Sequence, residues 1–393
     1  MSLPEGWRET TLGEVSTRIG DGLHGTPKYS TDGDYFFVNG NNLLDGKIIL
    51  KSDTKKVDKT QFDKYKKELG KSTILVSING TIGNLAKYNN EKCILGKSAG
   101  YLNIKDDTNM EFIYYLMMDK RFQYDISKNA NGSTIKNVSL AQLREYPINL
   151  PPLQEQKAIA NILSSFDEKI ELLKEQNETL EQMAQGVFRE WFVDEVDESW
   201  EVKTLGEVTN IKGGATPSTK NEDFWNGDIH WTSPKDLSNS KSVFLLDTNK
   251  KITETGLKKI SSGLLPRGTL LLSSRAPIGY LAISNVDIAI NQGYIALLDD
   301  AYFSNYYMYF WLKTYMRLVE GASNGSTFQE ISKSAFRQIE CIVPNKENIE
   351  KFDDFVKSIF DKLLLNIEEI NTLEKTRDTL LPKLMSGELR VIL

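Results

Sequence analysis

Two stretches of the chain carry apolar residues at alternating spacings of four and three. The first row is Ile159, Leu163, Phe166, Ile170, Leu173, Asn177, Leu180, Ala184, Val187 and Trp191. The second is Phe352, Val356, Ile359, Leu363, Asn366, Ile370, Leu373, Arg377, Leu380 and Leu384. This period predicts two helices with a coiled-coil seam. Each covers about 40 residues, on the order of 60 Å at 1.5 Å per residue. One amphipathic helix cannot hide such a stripe alone, so the two are expected to pack on each other. The linker after the first is short, which favours an antiparallel pair. An antiparallel pairing that sets Asn177 opposite Asn366 would also set Leu173 opposite Ile370. A buried Asn pair would fix register at some cost in stability. The alternative is that both Asn side chains reach solvent at the seam edge.

A different pattern precedes each helical stretch. Short β-like runs such as Ser72-Thr73-Ile74-Leu75-Val76-Ser77 and Thr269-Leu270-Leu271-Leu272-Ser273 are bounded by Gly, Asn and Pro, which read as turns. Aromatic-rich helical stretches follow at 110–120 and 302–314, and their rings read as core rather than as platforms for nucleobases.

The two halves repeat. Trp7 and Thr11-Leu12-Gly13-Glu14-Val15 return as Trp200 and Thr204-Leu205-Gly206-Glu207-Val208. Asn131-Gly132-Ser133-Thr134 returns as Asn324-Gly325-Ser326-Thr327, Gly100-Tyr101 as Gly293-Tyr294, and Thr179-Leu180-Glu181 as Thr372-Leu373-Glu374. The offset is 193 each time. A period this long is no solenoid. It is a duplicated body with its helical tail.

Composition narrows the class. The chain has 393 residues, 40% hydrophobic and 26% charged, as in an ordinary globular protein of two or more domains. No apolar run approaches the ~20 residues of a membrane span, and the start lacks the pattern of a secretory signal. The two cysteines, Cys93 and Cys341, make no disulfide framework, and a cytoplasmic location is expected. The net charge of -6 argues against nucleic acid, but its distribution does not. Residues 1–152 sum to +3 and 199–344 to +1, while the tail 153–192, the run 193–198 and the tail 345–385 carry -4, -4 and -2. Nine lysines against four acids lie between Lys47 and Lys71; a solvated lysine face would read the same way.

Catalytic motifs fail on inspection. Asn149-Leu150-Pro151-Pro152 only faintly resembles the Asn-Pro-Pro-Tyr motif of adenine methyltransferases, with Leu150 interrupting and no aromatic following. Gly96-Lys97-Ser98 matches the end of a P-loop, but Glu91 stands where its first glycine should be. The two histidines, His24 and His230, lie in different bodies and make no metal cluster. The expectation is no catalytic residue and no metal.

Several stretches carry a family resemblance. Leu150-Pro151-Pro152-Leu153-Gln154-Glu155-Gln156 leads into the first tail, Phe188-Arg189-Glu190-Trp191-Phe192 closes it, and Leu384-Met385-Ser386-Gly387-Glu388-Leu389-Arg390 stands near the C-terminus. Gly214-Ala215-Thr216-Pro217-Ser218-Thr219-Lys220, Ser233-Pro234-Lys235-Asp236-Leu237 and Ser274-Arg275-Ala276-Pro277-Ile278-Gly279 lie in the second body. With the repeat, the chain resembles the specificity (S) subunit of type I restriction–modification systems over essentially its full length.

The resemblance implies an α+β fold: two similar mixed α/β target recognition domains joined by two long antiparallel coiled-coil helices, with pseudo-two-fold symmetry. The expected boundaries are 1–152 for the first recognition domain, 153–192 for the central spacer helix and 193–198 for an acidic linker. The second domain is placed at 199–344, the C-terminal spacer helix at 345–385 and a tail at 386–393. Each domain would read half of a bipartite, asymmetric double-stranded DNA target. The helices would act as a ruler, half-sites one turn apart needing centres roughly 34–36 Å apart, and would dock two methyltransferase subunits. Two motor-nuclease subunits would join to cut unmodified DNA. The chain itself would be non-catalytic, with S-adenosylmethionine, Mg and ATP belonging to the partner subunits.

DNA-contact candidates lie in the polar, Gly-rich loops. In the first body they are His24, Thr26, Lys28, Tyr29, Asn39, Asn41, Asn42, Asn79 and Thr81. In the second they are Thr216, Ser218, Thr219, Lys220, Ser233, Lys235, Ser274, Arg275, Asn291 and Gln292. Asn and Gln suit adenine edges and Arg suits guanine; Lys, Ser and Thr suit phosphates. Asn79 and Arg275 hold corresponding places after a strand, each before an Ile-Gly pair, and differ as specificity positions should. Turn chemistry is the competing account of these loops. The rival readings of the whole chain are a coiled-coil scaffold protein and a self-contained DNA methyltransferase or nuclease.

Overall fold

The computed structural model describes residues 3–130, 136–238, 242–324 and 329–391. The repeated motifs at 131–134 and 325–327 lie outside the described residues. The chain divides into two compact units, one of residues 1–170 with 372–393, the other of residues 171–371.

In the first unit a four-stranded antiparallel sheet has the order Ser16–Asp21, Ala99–Ile104, Thr73–Ser77, Leu85–Lys87. The strand Thr73–Ser77 is buried throughout, which explains its continuous apolar run. A smaller mixed sheet joins Lys56–Val57, Tyr35–Val38 and Cys93–Leu95. Arg8–Thr11 pairs with Pro147–Leu150 just before the long helix begins.

The expected helix at 110–120 is two helices, Met110–Met118 and Lys120–Lys128. Asp119 divides them by capping the second, its carboxylate accepting from the Arg121 N–H at 2.7 Å. Phe112, Tyr114 and Tyr115 are buried, so these rings are core.

The second unit repeats the plan. Its five-stranded sheet runs Asn210–Gly213, Tyr294–Leu298, Leu270–Ser274, Ile278–Ser284, Phe244–Leu245, and its mixed sheet Lys250–Ile252, Trp225–Thr232, Ile288–Ile290. Glu201–Thr204 pairs with Glu340–Val343. The aromatic helix Asn305–Gly321 starts on Ser304, whose hydroxyl accepts from the Tyr307 N–H at 3.0 Å.

The tails are long helices, Leu153–Arg189 and Lys346–Ser386. The first ends in a π-helical turn, Glu190–Asp194, that takes in the first two residues of the expected linker. Within each unit the helices run antiparallel. In the first, Arg377 meets Asp167 at 2.5 Å, while Ile159 and Leu163 share a core with Leu381 and Leu384. In the second, Asn366 meets Asn177 at 2.8 Å, and eleven residues further along the first helix Phe188 meets Phe352 at 5.6 Å between ring centroids.

The buried face is wider than the expected seam. Ile170, Leu173, Val356, Ile359, Leu363, Asn366 and Ile370 are buried, but so are Phe188, Phe360 and Ile367, which lie off it. Aromatic partners from the body account for the difference: Phe188 packs on Tyr307 and Phe310 as well as on Phe352 of the second helix. Phe166, Leu180, Val187, Leu373 and Leu380 are only partly covered. No helix among the described residues is long and apolar enough to cross a membrane.

Candidate nucleic-acid interface

In each unit the nominated loops gather on one hub. In the first, the Leu23 N–H donates to the Leu95 carbonyl at 2.7 Å, the Gly40 N–H to Ser98 Oγ at 2.9 Å and the Ile78 N–H to the Ser98 carbonyl at 3.0 Å. The hub is residues 95–98. In the second, the Ala215 N–H donates to the Ile290 carbonyl at 3.0 Å, the Asn291 N–H to the Thr232 carbonyl at 3.0 Å and the Ser274 N–H to the Gly293 carbonyl at 2.8 Å. Close approach fixes two glycines: a Cβ on Gly22 would lie 2.2 Å from the Leu95 oxygen, and one on Gly214 1.9 Å from the Ile290 oxygen.

The loops present some of the nominated side chains and bury others. His24, Thr26, Lys28, Tyr29, Asn41 and Thr81 are exposed in the first unit, as are Thr216, Ser218, Thr219, Lys220, Lys235 and Gln292 in the second. His24 Nε2 lies 2.5 Å from Asp21 Oδ2. Thr216 donates to Gln292 Oε1 at 2.7 Å, tying two loops together.

Several nominated polar groups instead close the loops. Asn42 is buried; its Oδ1 accepts from the Asn39 N–H at 3.0 Å and its Nδ2 donates to the Ile49 carbonyl at 3.0 Å. Asn39 Oδ1 accepts from the Ser98 hydroxyl at 3.1 Å. In the second unit the Ser233 N–H donates to Asp236 Oδ2 at 2.8 Å, a capping box. Ser274 is buried, and Asn291 Oδ1 accepts from the Gly293 N–H at 2.8 Å. Turn chemistry holds these residues where they are.

Asn79 and Arg275 are half-buried on matching frames. Asn79 Nδ2 donates to Asn137 Oδ1 at 3.4 Å, and Arg275 Nη1 lies 3.7 Å from Glu330 Oε2. Asn137 and Glu330 escaped notice in the sequence, although the 193-residue offset aligns them. Lys97 also escaped: set aside with its P-loop resemblance, it stands exposed in the first hub. Beneath the loops, burial pushes the Tyr101 and Tyr294 hydroxyls upward, so both stay protonated. Among the described residues no group of three or more His, Cys, Asp or Glu is placed to hold a metal ion.

The model of the type I restriction modification DNA specificity domain matches twice, over residues 4–182 and 197–375. The chain belongs to this family. Among similar proteins, the HindI specificity subunit of Haemophilus influenzae is 25% identical over 98% of this chain and 99% of its own length. The MjaIX specificity subunit of Methanocaldococcus jannaschii is 37% identical, over 47% of this chain and 43% of its own length. The crystal structure of a type I restriction-modification S subunit from M. genitalium shares the fold, with a TM-score of 0.58, 22% identity and 98% of each chain covered. This specificity subunit therefore carries two specificity domains in tandem, and each presents one loop hub.

Proposed function

We propose that each unit of this specificity subunit reads one half of a bipartite, asymmetric double-stranded DNA target. The observation that carries the reading is the duplicated hub: one backbone scheme built twice, with different side chains on its rim. Arg275 and Asn79 are the base readers, and Thr26, Lys28, Thr81, Thr219, Lys220 and Lys235 serve the phosphates. The two helices that run through both units fix the separation of the half-sites, because a helix transmits length rigidly where a flexible tether does not.

The chain works without catalysis of its own. Two methyltransferase subunits dock on it and methylate adenine with S-adenosylmethionine, and two ATP-dependent motor-nuclease subunits, with Mg, cut unmodified DNA in the cytoplasm. The near-neutral bodies leave much of the phosphate contact to the methyltransferase partners, so the isolated chain binds weakly.

The test is co-expression with the partner methyltransferase in a host free of adenine methylation, followed by methylome sequencing. A split, asymmetric motif is expected, and adding one heptad to both long helices should change only its spacer. A continuous motif, or methylation by the chain alone, would overturn the reading.

A further inference from the structure

The two readers sit on the same frame. In the first unit the Ile78 N–H donates to the Ser98 carbonyl at 3.0 Å, and the Ile78 carbonyl accepts from the Val138 N–H at 2.8 Å. In the second, the Ser274 N–H donates to the Gly293 carbonyl at 2.8 Å, and the Ser274 carbonyl accepts from the Ile331 N–H at 3.0 Å. Ser77 Oγ accepts from the Asn84 N–H at 2.8 Å, and Ser273 Oγ from the Tyr280 N–H at 2.8 Å. One residue further, Asn79 forms a backbone bridge with Asn137, and Arg275 forms one with Glu330.

The backbone is thus held constant while both members of the side-chain pair change together, from Asn with Asn to Arg with Glu. A purely structural bridge has no need of matched side chains, since its hydrogen bonds belong to the main chain.

We propose that Asn137 and Glu330 are positioning residues that aim the two readers, the Asn79 carboxamide at an adenine edge and the Arg275 guanidinium at a guanine edge. This rests on the reading of each unit as a half-site reader. The chemistry separates the two pairs. At 3.7 Å Glu330 attracts the guanidinium from beyond hydrogen-bond length, so it orients Arg275 and leaves its donors for the O6 and N7 acceptors of guanine. The carboxylate also repels phosphate, which keeps the arginine from settling on the backbone. Asn79 gives one Nδ2 hydrogen to Asn137 and keeps the other with Oδ1. A donor beside an acceptor matches adenine N7 and N6.

The experiment compares methylomes of the complex carrying wild-type chain, Glu330→Gln, Glu330→Ala, Asn137→Ala or the double variant Arg275→Asn with Glu330→Asn. Glu330→Gln and Glu330→Ala should lower discrimination at one guanine of one half-site, on the order of 10-fold, and leave the other half-site unchanged. Asn137→Ala should do the same at one adenine of the opposite half-site. The double variant should shift the guanine position toward adenine. The untouched half-site separates lost aim from lost folding. Should Glu330→Ala abolish all methylation, Glu330→Gln, which keeps the volume and the backbone bridge, decides the matter. A bipartite wild-type motif with unchanged base preference in Glu330→Gln and Asn137→Ala would overturn this proposal alone. Absence of any bipartite motif from wild type would overturn the half-site reading beneath it.

Discussion

Asn366 Nδ2 donates to Asn177 Oδ1 at 2.8 Å and to Gln176 Oε1 at 2.9 Å inside the helix pair of the second unit. Asn366 is fully buried, and its own Oδ1 has no hydrogen-bond partner among the described residues. A buried amide half satisfied costs stability and specifies register, because any slip would leave both its ends unpaired.

The double variant Asn177→Leu with Asn366→Leu should therefore raise stability by about 1–2 kcal/mol, while Asn177→Leu alone should lower it by about 1 kcal/mol. Denaturant midpoints of the three variants give the coupling. Disulfide trapping between cysteines placed at 173 and 370 should lose selectivity over neighbouring registers in the double variant; unchanged selectivity would deny the amides a role in register.

In the first unit the Tyr115 hydroxyl donates to Asp167 Oδ2 at 2.6 Å, and Arg377 reaches Asp167 Oδ1 at 2.5 Å. One carboxylate joins the body to both helices. Asp167→Ala should cost about 1–2 kcal/mol, since it leaves the buried Tyr115 hydroxyl without its acceptor and takes one of two carboxylates from Arg377, which keeps Asp378. Thermal unfolding measures it, and a loss under about 0.5 kcal/mol would mean the node contributes nothing.

Burial pushes the Asp353 carboxyl up to about 6, against the downward pull of the Ser304 hydroxyl. The unfolded carboxyl titrates near 3.9. Between these values the folded state binds more protons, so stability falls as pH rises from about 4 to 6 and stays lowered above. Asp353→Asn should flatten that slope and gain about 1–2 kcal/mol at pH 7, allowing for partial exposure. Asparagine Oδ1 can still accept from Ser304. Urea unfolding at pH 4.5 and 7 reads both effects.

Glu155 is buried at the start of the first long helix. Its Oε2 accepts from Trp7 Nε1 at 3.1 Å and from Arg390 Nη2 at 3.0 Å, and its Oε1 from Arg390 Nε at 2.7 Å. Arg390→Ala should lower the melting temperature by leaving a buried carboxylate without its counter-charge, and Arg390→Lys should restore little, because a single ammonium cannot reproduce the planar fork that places Nε and Nη2 on the two oxygens. Glu155→Gln should suppress the defect of Arg390→Ala by removing the stranded charge. Differential scanning fluorimetry of the variants checks the order.

Cys93 and Cys341 are buried, and burial pushes both thiols up to about 12. Native protein should resist alkylation by iodoacetamide at pH 8, and both thiols should react in guanidinium. Rapid native labelling of either would contradict the packing around it.

What could be read from sequence, and what could not, follows from the range of each interaction. Alternate spacings of three and four in one stretch suffice for a helix with a seam, so the tails followed from counting and the short linker favoured their antiparallel sense, while the meeting of Asn177 with Asn366 stood as one of two readings until the fold brought them together. The repeat gave two like bodies by identity at a fixed offset. The loops were harder. Asn, Ser and Gly close turns and contact bases with the same atoms, so sequence could not separate Asn42 and Ser233, which brace their loops, from exposed Thr81 and Lys220.

Nor could sequence place the partners that decide the rest. Asn137 reaches Asn79 across 58 residues, and Tyr309 bonds Glu181 across 128. Sequence by itself determined the helices and the duplication, because those reside in spacing along the chain. The tertiary structure alone decided the width of the buried helix face, which loop side chains point out and which pairs of readers and supports meet, because those depend on how distant backbones are brought within a few ångströms.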